Sequence, residues 1–440
     1  MRSKLGIMIC ACLLCGCASF SQNSETTTNT GKRDVGKEIQ NNPVVSQLTS
    51  SDDKLRNSQA KADLMLFESW PQETTLNNSH IADVVPVWIE AIDQAEKTLD
   101  FEEYYIANES NTGLDRVVQA LRRAGERGVK IRFIIDSQMA GDDNGYQPDS
   151  IRDIPNLELR IINFNEMTGG IQHAKFFIVD GKTLYFGSQN FDWRSLEQIS
   201  EMGARLRPEI LVNPIKDIFE FDWILAENTK TPEKSEKCYG NTHLQYHGED
   251  TVVETVASPK GYLPCAEMWD LPKMLEMIRQ AQKSIAVQLL NYATQNYDKS
   301  EFKELDDALI EAAGRGVNVR LLVSDWTTKP KYMADLKRLA QIDHIETRMI
   351  EVPEHSSGFV PYSRTIHSKF MVVDDDKTWM GTSNWGGDYF YKSRNIGMIA
   401  TGKKLNTDLT QSFEHYWNSD YAIPVDPNVN YPVKNQAKKE

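Results

Sequence analysis

The chain has 440 residues and a formal net charge of −14, with 40% hydrophobic and 25% charged residues. This length is too great for one ordinary core and predicts two domains or a duplicated one. The composition is that of a soluble globular protein, and the acidic balance excludes a broad basic face for polyanions. Any phosphate site must therefore be a local basic pocket.

The first 16 residues have the pattern of an export signal. A short basic start precedes an apolar run, residues 5–15, which is too short to span a membrane as a mature helix. The run ends in a sequence that resembles a bacterial lipoprotein signal and predicts lipid on the sulfur of Cys17. An ordinary secretory signal or an uncleaved anchor is the alternative. We expect a lipid-anchored protein of the bacterial cell envelope, at the outer rather than the inner membrane because Ala18 follows Cys17.

Residues 17–62 are rich in Ser, Thr, Asn, Gln and charged residues and poor in large apolar ones. This composition predicts a disordered tether between the lipid and the folded part. In the predicted folded part only Cys238 and Cys265 remain, and export predicts that they form one disulfide. Two unrelated buried thiols are the alternative. Neither the cysteine spacing nor any Asp, Glu and His cluster predicts a metal site.

The remaining sequence is an internal repeat of alternating helices and strands. The predicted domains are residues 63–230 and 261–426, with a connection at 231–260 and a loose tail at 427–440. The helical and strand periodicities predict, in each domain, helix, strand, helix and strand: 84–97, 99–106, 114–127 and 129–136 in the first, and 271–283, 285–292, 302–315 and 317–325 in the second. The fold class is therefore α/β, with a mixed sheet in each half.

The pattern His-x-Lys occurs once in each half, followed after four residues by Asp and after six more by Gly-(Ser or Thr)-x-Asn. The two copies are His173, Lys175, Asp180, Ser188 and Asn190, and His367, Lys369, Asp374, Thr382 and Asn384. Side chains alternate along a strand, so the His and Lys of each copy point to the same face. A single copy would more often belong to a surface strand. Two copies with equal spacing in a duplicated chain predict one shared site.

These residues resemble the two-motif phospholipase D superfamily over residues 64–425. The nearest branch holds animal endolysosomal phospholipase-D-like nucleases and poxvirus envelope proteins, and the resemblance is carried by residues 190–196, 257–265, 360–364 and 381–385. It implies a duplicated phospholipase D fold, with two α/β/α halves related by a pseudo-twofold axis and one shared active site. It also implies a metal-independent reaction without a cofactor.

Hydrolysis of a phosphodiester requires neutralisation of its charge, and four side chains are suited to donate to the non-bridging oxygens: Lys175, Lys369, Asn190 and Asn384. One histidine would attack phosphorus and form a phosphohistidine. The other would protonate the leaving oxygen and then activate water or an alcohol.

The residue eleven positions after each motif Asn distinguishes the two histidines. It is Glu201 in the first half and Asn395 in the second. A carboxylate bonded to one ring nitrogen makes the other more basic. We therefore predict that Glu201 supports His173 as the nucleophile and that His367 is the acid and base; a solvated strand residue is the alternative for Glu201.

The other motif residues are expected to act through structure. An aspartate at position 180 or 374 would tether its strand or a neighbouring backbone, although both belong to the catalytic motif. Ser188 and Thr382 would support the phosphate-binding turn. Aromatic residues after the motifs, among them Trp385 and Tyr389, would either flank the cleft, against a base or acyl chains, or pack the halves together.

Two substrate classes fit this sequence. A phospholipase D or phosphatidyl transferase on phospholipids is favoured, because a lipid tether would hold the enzyme at its substrate and the acidic charge disfavours long nucleic-acid tracks. A single-strand, exonuclease-like nuclease is the alternative, since a site for one or two phosphates needs no large basic face. A non-catalytic envelope role is the third. The protein is expected to act as a monomer.

Overall fold

The computed structural model describes residues 62–141, 146–227, 237–434 and 436–437. The predicted signal, the lipidation site Cys17 and almost all of the predicted tether lie outside these residues. Within the described ranges, no helix has the length and apolar character needed to cross a bilayer. Residues 62–440 form one compact unit.

Within the described residues, the first half contains ten strands and five α-helices. They are β1 (Leu64–Ser69), β2 (Ala82–Asp83), α1 (Val84–Asp93), β3 (Thr98–Glu102), β4 (Ile106–Ala107), α2 (Gly113–Glu126), β5 (Lys130–Asp136), β6 (Leu157–Ile162), α3 (Phe164–Thr168), β7 (Phe176–Val179), β8 (Thr183–Gly187), β9 (Phe191–Asp192), α4 (Trp193–Glu197), β10 (Ile199–Leu206) and α5 (Glu209–Ala226). Apart from the short pair β4–β9, these strands form one mixed sheet in the order β2-β1-β10-β8-β7-β3-β5-β6.

The second half repeats this arrangement. Its elements are β11 (Thr242–Tyr246), β12 (Glu249–Ser258), α6 (Asp270–Gln280), β13 (Ser284–Leu289), α7 (Glu304–Gly314), β14 (Asn318–Ser324), α8 (Pro330–Leu339), β15 (Ile345–Ile350), β16 (Thr365–Ile366), β17 (Phe370–Val373), β18 (Lys377–Gly381), α9 (Gly387–Tyr391), β19 (Asn395–Thr401), α10 (Lys403–Trp417) and β20 (Ala422–Pro424). The second sheet has the order β11-β12-β19-β18-β17-β13-β14-β15-β20.

The registers of the two sheets match at equivalent strands. Parallel β3 and β5 pair Leu99 with Ile131, and parallel β13 and β14 pair Ile285 with Val319. The motif strands β7 and β17 run antiparallel to β3 and β13 and continue into the hairpins β7–β8 and β17–β18. The predicted duplicated α/β fold with two mixed sheets is confirmed.

Three apolar cores hold the layers together. Helices α1 and α2 cover the outer face of the first sheet, and α6, α7 and α8 cover the outer face of the second. Helices α5 and α10 lie in a central core that includes strand residues from both sheets. Burial of this shared core removes apolar surface of both halves from water, which stabilises their association. The segments that carry the two His-x-Lys motifs lie where the halves meet.

Helix and strand periodicity placed all eight predicted repeat elements correctly, to within a few residues. The structure differs in two connecting regions. The predicted connection, 231–260, contains β11 and β12, which extend the second sheet beside β19. The tail, expected to be loose, is held at Lys434, whose ammonium group pairs with Asp325 at 2.9 Å.

Candidate active site

Each motif histidine is held by backbone hydrogen bonds to the opposite half. The His367 amide donates to the Ser200 carbonyl at 2.7 Å, and β16 pairs in parallel with the start of β10. The His173 amide donates to the Arg394 carbonyl at 3.0 Å. The segment that leads into β7 therefore bonds to the second half, and the segment that leads into β17 bonds to the first half. This brings the two predicted motifs into one site.

The ring contacts follow from this exchange and correct one prediction. Glu201 accepts from Nδ1 of His367, at 2.8 Å to its nearer oxygen. Nδ1 of His173 instead contacts Oδ1 of Asn395 at 2.9 Å. The predicted pairing of Glu201 with His173 is wrong, because the strand that carries Glu201 lies against the second motif. Glu201 is a buried site residue, not a solvated strand residue.

A hydroxyl group supports each of these histidine partners. Oγ1 of Thr382 donates to Oδ1 of Asn395 at 2.9 Å and accepts from the following amide, Ile396. Oγ of Ser188 accepts a hydrogen bond from the backbone amide of Met202, the residue after Glu201. The Ser188 side chain also hydrogen bonds to the Glu201 carboxylate. Ser188 and Thr382 therefore position the histidine partners. The sequence had assigned them to the phosphate-binding turn.

Burial disfavours charge at every ionisable group in this site. It lowers the pKa of His173 and of His367 well below the usual range, with the nearby lysines adding to the effect. Burial also raises the pKa of Glu201 to about 8. The Glu201–His367 pair is best described as sharing one proton, because burial disfavours charge on both partners.

The lysines lie beside the histidines of their own motifs. Nζ of Lys175 donates to the His173 carbonyl and Nζ of Lys369 to the His367 carbonyl, each at 2.5 Å. Burial lowers the pKa of Lys175 to about 7 and that of Lys369 well below its usual range. The charge of each lysine also acts on the histidine of the other half. A bound phosphodiester anion would favour the charged form of both lysines.

The two motif asparagines follow the hairpin strands β8 and β18. Asn190 and Asn384 are buried, with 7% and 2% of their surface exposed. Among the described residues, neither amide oxygen has a hydrogen-bond partner. Buried polar groups in folded proteins are normally paired, so unpaired groups at the expected phosphate position require a ligand or water. Asn384 also hydrogen bonds to Tyr389.

The motif aspartates lie at the far ends of β7 and β17 and tether the backbone, as the sequence predicted. Asp180 accepts from the amides of residues 96–98, at 2.7 to 3.1 Å. Asp374 accepts from the amides of residues 282–284, at 2.7 to 3.2 Å. These contacts are structural, and they correct the grouping of the two aspartates with the catalytic side chains.

Sequence reasoning missed several residues around His173. Its ring packs between Tyr104 and Tyr389, with centroids 5.4 and 5.0 Å away. Arg394, whose carbonyl holds the His173 amide, forms a fully buried bidentate ion pair with Asp222 of α5. Tyr389 was among the aromatic residues that the sequence predicted to flank the cleft or to pack the halves together, whereas Tyr104 was missed. Nothing in the local sequence marks Arg394 or Asp222.

The cysteine pair lies outside this site. Cys238 and Cys265 are joined by a disulfide, with Cα atoms 5.2 Å apart. The link fastens the start of the second half to the segment that follows β12. A carboxylate oxygen of Glu267 lies close to both sulfurs, but bonded cysteines have no thiolates to offer a metal.

Comparison with known proteins gives a consistent assignment. The family model described as "Cardiolipin synthase, PLD-like domain" matches residues 88–223 and 274–417. A probable phospholipase D of Caenorhabditis elegans is 32% identical over 78% of this chain and 67% of its own length. The 5'-3' exonuclease PLD4 of Mus musculus is 29% identical over 83% of this chain and 80% of its own.

A solved structure supports the fold. Phosphatidylserine synthase of Haemophilus influenzae superposes with a TM-score of 0.59 at 12% identity, over 86% of this chain and 93% of that one. The curated relatives correct the predicted localisation. They come from eukaryotes, the worm and the mouse among them, and this contradicts a bacterial cell envelope.

Proposed function

Since the chain belongs to the phospholipase D superfamily, we propose that it cleaves phosphodiesters in two displacement steps through a phosphohistidine. The observation that carries this proposal is the pair of buried histidines, each with Nδ1 held by the other half of the chain and with lysine charges acting on both rings. Anchoring of Nδ1 leaves Nε2 as the nitrogen that reacts. Preorganised donors beside it would stabilise the charge that develops on the phosphoryl oxygens.

We assign the attacking role to His367. The rule applied to the sequence, that a carboxylate raises the basicity of its histidine, selects His367 once Glu201 is found on that ring. A phosphorylated imidazole with a proton on Nδ1 carries positive charge, and Glu201 would stabilise it. The amide oxygen of Asn395 gives His173 weaker support, so a protonated His173 is the stronger acid.

The two steps balance as follows. Nε2 of His367 attacks phosphorus, the bond from phosphorus to the leaving oxygen breaks, and His173 gives that oxygen its proton. In the second step the oxygen of water or an alcohol attacks phosphorus while His173 takes its proton. The bond between phosphorus and Nε2 then breaks and regenerates both histidines.

Single-stranded nucleic acid is the first candidate substrate, with phospholipid as the second. One relative is named an exonuclease and another a phospholipase D, so these names alone do not decide between nucleic acid and phospholipid as the substrate. The sequence favoured phospholipid because of the predicted lipid tether, which lies outside the described residues. A polar, aromatic groove beside Asn384 now favours nucleic acid.

The test is a direct comparison of substrates. Purified protein is incubated, with and without EDTA, with an end-labelled single-stranded oligonucleotide and with vesicles of phosphatidylcholine or phosphatidylglycerol. We expect cleavage of the oligonucleotide at an equal rate in EDTA, and none by the His367→Ala variant. Hydrolysis of vesicles alone would replace the nucleic-acid proposal by the lipid one. A variant without His367 that turned over either substrate would overturn the mechanism.

A further inference from the structure

A groove lined by polar and aromatic side chains lies beside the phosphate site. It shares two residues with the site already described: Asn384 of the second motif and Tyr389, whose ring packs on His173. Its outer part is formed by Asn296, Tyr297, Lys331 and Tyr332. A substrate with its phosphate at the histidines would therefore extend into it.

Tyr297 presents an exposed aromatic ring on an anchored loop. It is 72% exposed, the largest exposure among the large hydrophobic side chains of the described residues. Its amide donates to the Asp388 carboxylate at 2.7 Å, and the neighbouring Asn296 amide donates to Ser300 at 2.9 Å. The loop is thus fixed by hydrogen bonds while the ring faces solvent. Such a ring can bind a flat ligand without first being ordered.

Lys331 provides positive charge next to this ring. Its Nζ lies 5.2 Å from the centroid of Tyr297 and 4.5 Å from that of Tyr332, its neighbour at the start of α8. The nearby Lys392 is less suited than Lys331 to contact a phosphate, because its ammonium group is already paired with Asp298 and Asp388. Two aromatic rings around an ammonium group combine a stacking surface with a contact for phosphate, which is the combination that binds single-stranded nucleic acid.

The floor of the groove carries hydrogen-bond acceptors. Asn296 and Asn384 both line it, and among the described residues their amide oxygens are buried without a partner. An acyl chain could not satisfy these oxygens, whereas the amino groups of nucleobases are suitable donors. This second observation is independent of the aromatic rings and favours the same kind of ligand.

We propose that Tyr297 and Tyr332 stack the base next to the scissile phosphate, and that Lys331 contacts the phosphate that follows. This inference rests on the proposed phosphodiesterase function and adds the subsite that selects a nucleotide over a lipid. Stacking on an aromatic side chain tolerates every base, so the subsite predicts cleavage with little sequence preference.

The experiment uses the whole chain and two oligonucleotides, one intact and one with abasic residues on both sides of the cleaved phosphate. Tyr297→Ala should raise KM for the intact oligonucleotide by roughly 5- to 150-fold, the range expected for loss of one stacked base. This effect should disappear on the abasic oligonucleotide, while Tyr297→Trp should restore binding. The matched control is Tyr391→Ala, an exposed tyrosine outside the groove that bonds to Glu304.

The outcomes separate this inference from the proposed function. The base subsite is overturned if the unchanged protein cleaves the intact oligonucleotide and Tyr297→Ala has the same KM for it. It is also overturned if Tyr297→Ala raises KM equally for the intact and the abasic oligonucleotide. In both cases the proposed phosphodiesterase function stands. If the unchanged protein hydrolyses vesicles and no oligonucleotide, both nucleic-acid statements fail. If groove variants alter KM for phosphatidylglycerol alone, the groove binds a lipid head group. Melting curves confirm that each variant is folded.

Discussion

Glu201 and Ser188 of the first half support His367, whereas Asn395 and Thr382 of the second half support His173. The geometry is the same on both sides, with each partner residue on the strand that pairs across the interface. The chemistry differs by one substitution, a carboxylate against an amide. Duplication alone would give two equal histidines. In the proposed mechanism this single difference gives them unequal basicity, so that one attacks while the other moves protons.

The aromatic surroundings differ between the halves as well. On the first side Tyr105 is hydrogen bonded to Asp192 and packs on Tyr146, with ring centroids 4.7 Å apart. On the second side Tyr297 is exposed beside Lys331. The tyrosines on the first side pack against each other, whereas Tyr297 on the second side lines an open groove. The substrate is therefore expected to extend toward the second half.

Removal of the histidines should have the largest effect. His367→Ala is expected to abolish turnover and the covalent adduct, with a loss on the order of 10⁴-fold or more in kcat. His173→Ala should still react with a diester that has a good leaving group, because that oxygen needs no proton. The phosphorylated enzyme should then accumulate, since no base activates water. Mass spectrometry of the trapped protein locates the phosphate, and an adduct on His173 in the His367 variant would reverse the assignment.

Exchange of the supporting residues tests the asymmetry itself. Glu201→Gln should lower kcat by about 10²- to 10⁴-fold, because the ring loses its carboxylate and the preferred tautomer. Asn395→Asp alone should have a smaller effect. In the double variant, Glu201→Gln with Asn395→Asp, the carboxylate contacts His173 instead of His367. We expect part of the trapped phosphoryl adduct to form on His173. If Glu201→Gln and Asn395→Ala reduced kcat equally, the carboxylate would have no special role.

Sequence reasoning succeeded where the information is local. Helix and strand periods located the repeat, and equal spacing in both copies identified the histidines, lysines and asparagines. It also gave Asp180 and Asp374 a structural role, since a carboxylate after a strand can accept from nearby amides. The partner of each histidine could not be found this way. Glu201 lies only 28 positions after His173 in the sequence, and His367 is far more distant. The parallel pairing of β10 with β16 nevertheless places Glu201 beside His367.

Other features depend on contacts between distant segments. The Arg394–Asp222 ion pair joins α5 to the start of β19, and only the packing of the two halves reveals it. The groove unites Tyr297 and Lys331 with Asn384 from three different loops and helix ends. Apart from Asn384, none of these residues stands at a motif position, so one sequence gives no signal for them.

The pH dependence of kcat/KM should reflect the buried lysines. The pKa of Lys175 is lowered to about 7 by burial, so in the free enzyme its charge is present below that pH and lost above it. We therefore expect kcat/KM to fall as the pH rises through about 7. On the acid side, burial keeps the pKa of His367 well below 6.5, so the attacking nitrogen stays unprotonated, and falling pH increases the protonated, proton-donating form of His173, whose pKa burial also lowers; activity therefore persists.

Lys175→Arg sharpens this test, because guanidinium keeps its charge at every accessible pH. The alkaline decline should move to higher pH even if kcat is lower, whereas Lys182→Arg, in the turn after β7, should leave the profile unchanged. If kcat/KM of Lys175→Arg fell at the same alkaline pH as that of the unchanged protein, the fall would be due to another group. Glu201, with its pKa of about 8, is the first one to examine.

The smallest effects on catalysis are expected where the halves are equivalent. Asp180 and Asp374 each bind three consecutive backbone amides. Burial opposes ionisation of both carboxyls, but these bonds lower each pKa below the usual value of 3.8. Their stabilisation is therefore present above that pH and is lost as the pH falls through the lowered pKa.

We expect Asp180→Ala and Asp374→Ala each to reduce the free energy of unfolding by about 1 to 3 kcal/mol, the usual consequence of leaving several backbone donors unpaired. Both should keep near-normal kcat per folded molecule, because neither carboxylate touches the histidines. The matched control is Asp375→Ala, which removes only an exposed pair with Lys283 and should destabilise the protein less than either substitution. Denaturant unfolding and kcat measured on the same samples decide the matter. If Asp180→Ala lost activity while remaining as stable as the Asp375 control, the aspartate would belong to the chemistry after all, and the symmetry of the two tethers would be broken.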